Sequence, residues 1–208
     1  MKTNKDTLNI VLKNAGHITA SDIVGVDELN HSFSPYNNPG SGWSAAKDNI
    51  EREEEVLNTV DGIEDDQVRY TEACELMLEN LLAFEPGVSS AISALNAAGC
   101  FTVSSCAGHK EPSYSGSDTP MITFYLAPEL VGILSELAKQ AGVELEDASY
   151  GCVCVRDPKC GRKTMLGFAK AIVEARQRIN AVGETRLVLP KAEYKRFIKT
   201  WSKSQGIS

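Results

Sequence analysis

The stretch Val88-Ser89-Ser90-Ala91-Ile92-Ser93-Ala94-Leu95-Asn96-Ala97-Ala98-Gly99-Cys100-Phe101-Thr102-Val103-Ser104-Ser105-Cys106-Ala107-Gly108-His109 holds the two periodicities that decide the fold. Val88, Ile92 and Leu95 recur at helical spacing, and Gly99 follows where a helix ends on a residue that tolerates left-handed backbone. Residues 100–104 are short and β-prone, which predicts a strand beginning with no linker after the helix. A helix that hands the chain directly to a strand belongs to a layered domain of sheet and helices.

The same grammar continues downstream. Residues 121–126 predict a strand, and Pro128 sits where a first helical turn accepts proline. The helix that follows carries Leu130, Leu134, Leu137 and Ala138 on an apolar face and stops at Gly142. Residues 143–145 and 151–155 predict two further strands, 164–181 a long helix and 187–189 a last short strand. Pro190 opens a terminal helix with Tyr194, Phe197, Ile198 and Trp201 on one stripe among lysines. No internal repeat stands out. Upstream, residues 44–57 and 65–82 predict two helices, and residues 30–43, rich in Asn, Ser, Pro and Gly with three aromatics, predict a loop or docking arm. The expected fold class is α/β (α+β): a small mixed sheet covered by helices over residues 86–208, preceded by an acidic, mainly helical region over residues 1–85.

The charge is divided along the chain. Residues 1–85 carry 6 Lys/Arg against 17 Asp/Glu, whereas residues 156–208 carry 13 against 4. A basic end on a chain of net charge -7 suggests either that the two parts face each other or that the basic part meets a polyanion. Nucleic acid is therefore a weakly supported partner, since net charge speaks to non-specific association. Apolar runs are broken well before the roughly 20 residues of a membrane span, and no apolar leader follows Met1, so the expectation is a cytoplasmic chain with no membrane partner. Six cysteines in such a chain read as thiols rather than disulfides.

Chemistry is expected where the strand at residues 100–104 runs into Ser105-Cys106-Ala107-Gly108-His109. Sheet edges are where α/β proteins bind ligands. Gly108 lets the backbone turn or approach a ligand, and backbone N–H groups in such a loop can hold an anion. Cys106 and His109 are the candidate catalytic pair, with the imidazole favouring a nucleophilic thiolate. The same two side chains could instead be metal ligands together with Cys152, Cys154 or Cys160, or be an ordinary buried thiol and a turn histidine. Ser104, Ser105 and Gly108 are candidate ligand contacts. A second anion site is expected at residues 159–164, where Arg162 and Lys163 precede a helix N-terminus. The polar stretch 110–119 reads as a connection free to act as a lid.

From the predicted helix at 88–98 through Thr102-Val103-Ser104-Ser105-Cys106-Ala107-Gly108, the sequence resembles the Tyw3 family, the wybutosine-synthesis methyltransferases that act on a modified guanosine in transfer RNA with S-adenosylmethionine. A Ser-Ser-Cys-Ser-Gly-Arg run ends the corresponding strand in that family, so His109 stands where the family has arginine. The likeness extends over residues 84–155 in element order and over six or seven residues in motif. It implies that Ser104, Ser105, Cys106 and Gly108 belong to a ligand-binding loop and that S-adenosylmethionine is the cofactor. The residues alone point more broadly to a protein recognising a small anionic, nucleotide-like ligand. Two other readings stand beside it: a non-catalytic interaction protein using its acidic front, and a structural zinc protein.

Overall fold

Two glycines make the corners of this fold. Gly99 and Gly142 adopt φ of 84° and 79°, a region that favours residues without a Cβ. At the first corner the N–H of Cys100 reaches the carbonyl of Leu95 and the N–H of Gly99 that of Asn96. At the second, Val143 reaches Ala138 and Gly142 reaches Lys139 in the same pattern. This paired arrangement satisfies carbonyls that a helix end otherwise leaves open, and it turns the chain straight into a strand.

The computed structural model describes residues 16–17, 42–79, 85–108, 117–148, 153–161, 163–182 and 188–189. Within them lie β1 (Gly16–His17), α1 (Gly42–Thr59), α2 (Asp66–Glu79), α3 (Ser89–Ala97), β2 (Phe101–Cys106) and β3 (Met121–Tyr125). A 3-10 turn (Pro128–Leu130) then leads into α4 (Val131–Ala141), followed by β4 (Glu144–Asp147), β5 (Val153–Arg156), α5 (Thr164–Glu174), α6 (Arg176–Asn180) and β6 (Val188–Leu189). The predicted helix over 164–181 is thus two helices divided at Ala175. Most of the aromatic arm and all of the predicted terminal helix lie outside the described residues. Among the described residues no helix is long and apolar enough to cross a membrane.

The α/β class holds. Four strands form a sheet in the order β2-β3-β5-β4, and all three pairings are antiparallel, a plainer arrangement than a mixed sheet. The elements α3-β2-β3 and α4-β4-β5 repeat one plan: each helix turns at its glycine into an outer strand, which returns as an inner one. The register aligns Ile122 with Val155 and Val155 with Leu145, a row of buried residues across the sheet. Successive strand side chains alternate faces, so Phe124 and its partner Val153 join this row. Against this face pack Ile92 and Leu95 of α3, Leu134 and Leu137 of α4, and Met165, Phe168 and Ile172 of α5, in one core. A separate two-residue ribbon pairs β1 with β6.

Helix α1 contributes Ile50 and Leu57 to that same core. Its backbone approaches α3 closely, since a Cβ added to Gly42 would lie 2.9 Å from Ala97. It also supplies something α3 lacks. Residue 88, at the N-cap of α3, is a valine with no side-chain capping bond. Glu53 of α1, fully buried, replaces that cap: Oε1 accepts the N–H of Gly87 (2.7 Å) and of Ser89 (3.2 Å), and Oε2 that of Ser90 (2.8 Å). A carboxylate is well placed at the positive end of a helix. Asn49 reaches the Ser93 hydroxyl at 2.6 Å, and Lys170 pairs with Glu54 at 2.5 Å, so the acidic helix is tied to both α3 and α5.

Candidate functional site

Strand β2 ends at Cys106, whose pairing with Met121 closes the β2–β3 ladder. Its thiol is buried and engaged on two sides. Sγ lies 3.5 Å from the carbonyl oxygen of Ser117 and accepts the N–H of Gly108 at 3.4 Å. Gly108 then turns at φ 86°, with the ring and nitrogen of Pro120 2.9 Å from where a Cβ would stand. Any side chain here would meet both backbone strain and a neighbouring proline. Ala107 directs its N–H at Oε2 of Glu85, 2.7 Å away.

The neighbouring wall is built around a second buried carboxylate. Asp157 is fully buried; Oδ1 accepts the N–H of Lys159 (3.0 Å) and Oδ2 that of Gly161 (2.7 Å), which folds residues 157–161 into a turn with Cys160 at φ 50°. The N–H of Asp157 reaches Pro120 O at 2.9 Å, joining this turn to the segment before β3. Arg156 fixes the same segment. Its guanidinium donates to the hydroxyls of Ser117 (3.0 Å) and Thr119 (2.7 Å) and pairs with Glu146 (3.0 Å).

These loops and the helical front line an open-sided cavity of about 500 Å³. Leu57 and Val60 line it from α1 and the turn after it, and Asp66, Gln67, Arg69, Tyr70 and Ala73 from α2. Glu85, Pro86 and Gly87 enter from the approach to α3, Ala107 and Gly108 from the end of β2, Asp118 and Pro120 from before β3, and Cys160 and Gly161 from before α5. Arg69 is held by its ion pair with Asp66 and by a 2.5 Å bond to the Ile63 carbonyl. Burial raises the Tyr70 phenol above its ordinary range, and the Glu85 charge, which its hydroxyl also hydrogen-bonds, adds to the shift. Tyr70 is therefore a protonated donor at the cavity wall. Burial likewise raises the Cys74 thiol beside it.

The sequence-predicted residues divide among these places. Gly108, with Ala107, lines the cavity. Cys106 lies immediately behind it, with its sulfur turned to the backbone of its own loop and of Ser117. Ser104 and Ser105 are exposed on β2 and do not line the cavity. Lys163 directs its ammonium to Asn58 Oδ1 (2.8 Å) and Asp61 Oδ2 (3.4 Å), so it joins α5 to the end of α1. His109, Arg162 and Cys152 lie outside the described residues. Among the described residues, no group of three or more His, Cys, Asp or Glu is placed to hold a metal ion.

Sequence reasoning missed Glu53, Tyr70, Arg69 and Glu85. Only Glu53 left a signal: it falls on the apolar stripe of α1 with Ala46, Ile50 and Leu57, where an exposed acidic residue has no place. No known protein family, curated protein or solved structure matches this chain.

Proposed function

We propose that this chain binds a small anionic, nucleotide-like molecule in the cavity between the helical front and the Cys106-Ala107-Gly108 loop. The observation that supports this reading is the cavity, whose volume of about 500 Å³ lies within the range of small-molecule sites. Leu57, Val60, Ala73 and Pro86 offer an apolar bed for a planar ring, while Gln67, Arg69 and Tyr70 bring hydrogen-bonding groups to the same space. Gly108 brings main chain to the wall of the cavity.

In its sharper form the reading is a Tyw3-like, S-adenosylmethionine-dependent RNA methyltransferase. It is supported by the Ser104-Ser105-Cys106-Ala107-Gly108 resemblance and by a cavity that would accommodate the nucleoside part of S-adenosylmethionine. When bound, S-adenosylmethionine would supply the electrophilic methyl of its sulfonium. Within this reading Cys106 shapes the loop, because its sulfur already takes the Gly108 N–H.

Thermal unfolding of the full chain with adenosine 5′-monophosphate, S-adenosylmethionine or S-adenosylhomocysteine tests the reading. A ligand at a hundred times its Kd stabilises the folded state by about 2.7 kcal/mol, a shift of several degrees. Gln67→Trp, which puts a ring into the cavity from an exposed position of α2, should abolish that shift while the chain stays folded. If none of the three compounds moves the transition of the wild type, the cavity is not a site of this class.

A further inference from the structure

An anion bound by the 106–108 loop would be held by its backbone N–H groups, and the two that the structure shows are already taken by groups of the same chain. Ala107 N–H points at Glu85 Oε2 at 2.7 Å, and Gly108 N–H at Cys106 Sγ at 3.4 Å. The first distance is that of a charge-assisted bond, and the second that of a weak bond to sulfur. Glu85 lines the cavity itself, two residues before Gly87, which also lines it. The protein's own carboxylate thus stands at the position where the proposed ligand would place its negative end.

We propose that Glu85 is a resident anion in the ligand site, and that a ligand oxyanion, carboxylate or phosphate, binds the Ala107 N–H by displacing it. The inference rests on the reading of the cavity as a nucleotide-like site. Charge decides the competition. Of the other ionic side chains at the cavity, Asp66 is paired with Arg69, and Asp118 lies within the field of Arg156, which pairs with Glu146. A ligand anion at Ala107 would meet the Glu85 carboxylate within a few ångströms, where two like charges repel strongly even at an effective dielectric of about 20. Occupation by Glu85 therefore holds the site in a low-affinity state. Binding requires the carboxylate to turn away from Ala107, and Tyr70, already hydrogen-bonded to it, is one partner it keeps.

The prediction is a gain of binding when the residue is removed. Calorimetry with full-length wild type, Glu85→Ala and Glu85→Gln would compare adenosine, adenosine 5′-monophosphate and adenosine-5′-carboxylic acid as probes. The preference of Glu85→Ala for the phosphate or the carboxylate probe, or both, over adenosine should exceed that of wild type at least about tenfold. Whichever probe tightens names the anion. Glu85→Gln can still accept the Ala107 N–H and keeps the loop in place. It should shift affinity the same way by removing the charge, and it stands in if the alanine variant does not fold. Adenosine binding with no gain for either charged probe in either variant overturns the inference and leaves the cavity reading intact. Failure of all three probes on all folded proteins overturns both.

Discussion

Replacing Glu53 tests the fold where it is most exposed to a single change. Its carboxylate, fully buried on α1, accepts three N–H groups at the start of α3. Glu53→Ala would leave those donors without a partner inside the protein. Three unmet buried donors cost about 3–9 kcal/mol, and removing a buried carboxylate relieves a desolvation penalty of several kcal/mol, so the net loss should be about 3 kcal/mol. Glu53→Gln retains one acceptor oxygen for Gly87 and Ser89 but turns an amide N–H toward the N–H of Ser90, and should cost about 2 kcal/mol. Urea unfolding followed by circular dichroism measures both, and hydrogen exchange at Gly87, Ser89 and Ser90 locates the effect. The pH dependence carries a sign. Burial raises the Glu53 carboxyl above its ordinary value of 4.5, so the folded chain holds the proton more tightly than the unfolded one. That contribution to stability is complete below 4.5 and is lost as pH rises through the raised folded value. The gap between wild type and Glu53→Gln should therefore be widest in acid and narrow as pH rises. Variants within about 0.5 kcal/mol of wild type would refute the capping role, and a gap that widens with pH would refute the raised carboxyl.

Other consequences are as direct. Gly108→Ala should lower stability by about 1–3 kcal/mol, because φ of 86° is strained for alanine and its Cβ would press on Pro120; the melting temperature reports it. Phe168→Ala, at a fully buried position of α5, should cost about 3–5 kcal/mol by urea titration. Under native alkylation followed by peptide mass spectrometry, Cys160 should react first among the five described cysteines, since it alone is exposed, while Cys100, Cys106 and Cys154 are buried. Burial also holds the Cys100 and Cys154 thiols in the protonated, unreactive form. Early labelling of Cys100 would contradict the described core.

Most of the helices and strands were legible because each is announced within a few residues, whereas β1 and the division at Ala175 carry no such local signal. Gly99 and Gly142 follow complete apolar stripes, and residues 121–125 and 153–155 are dense in residues that favour a pleated surface. The candidate site was legible only in part, at Cys106, Ala107 and Gly108. The rest depends on separations that no local pattern spans: Glu53 meets partners 34 to 37 positions away, and Glu85 meets Ala107 across 22. Lys163 shows the same limit in reverse. A basic residue before a helix suggested a phosphate, but the chain brings Asn58 and Asp61 to it from 105 and 102 positions away. The acidity of the front half was visible as composition. That one of its carboxylates caps a helix was not.

The repeated helix-strand-strand plan carries a consequence for how the protein can change. Residues 148–152 join β4 to β5, whereas residues 107–120 join β2 to β3 and give the cavity Ala107, Gly108, Asp118 and Pro120. Doubling a flexible connection adds only about 0.6 kcal/mol of closure cost, so one half can carry the longer link while the sheet order stays the same. The length of this link can therefore change in one half while both glycine corners and the shared core stay untouched.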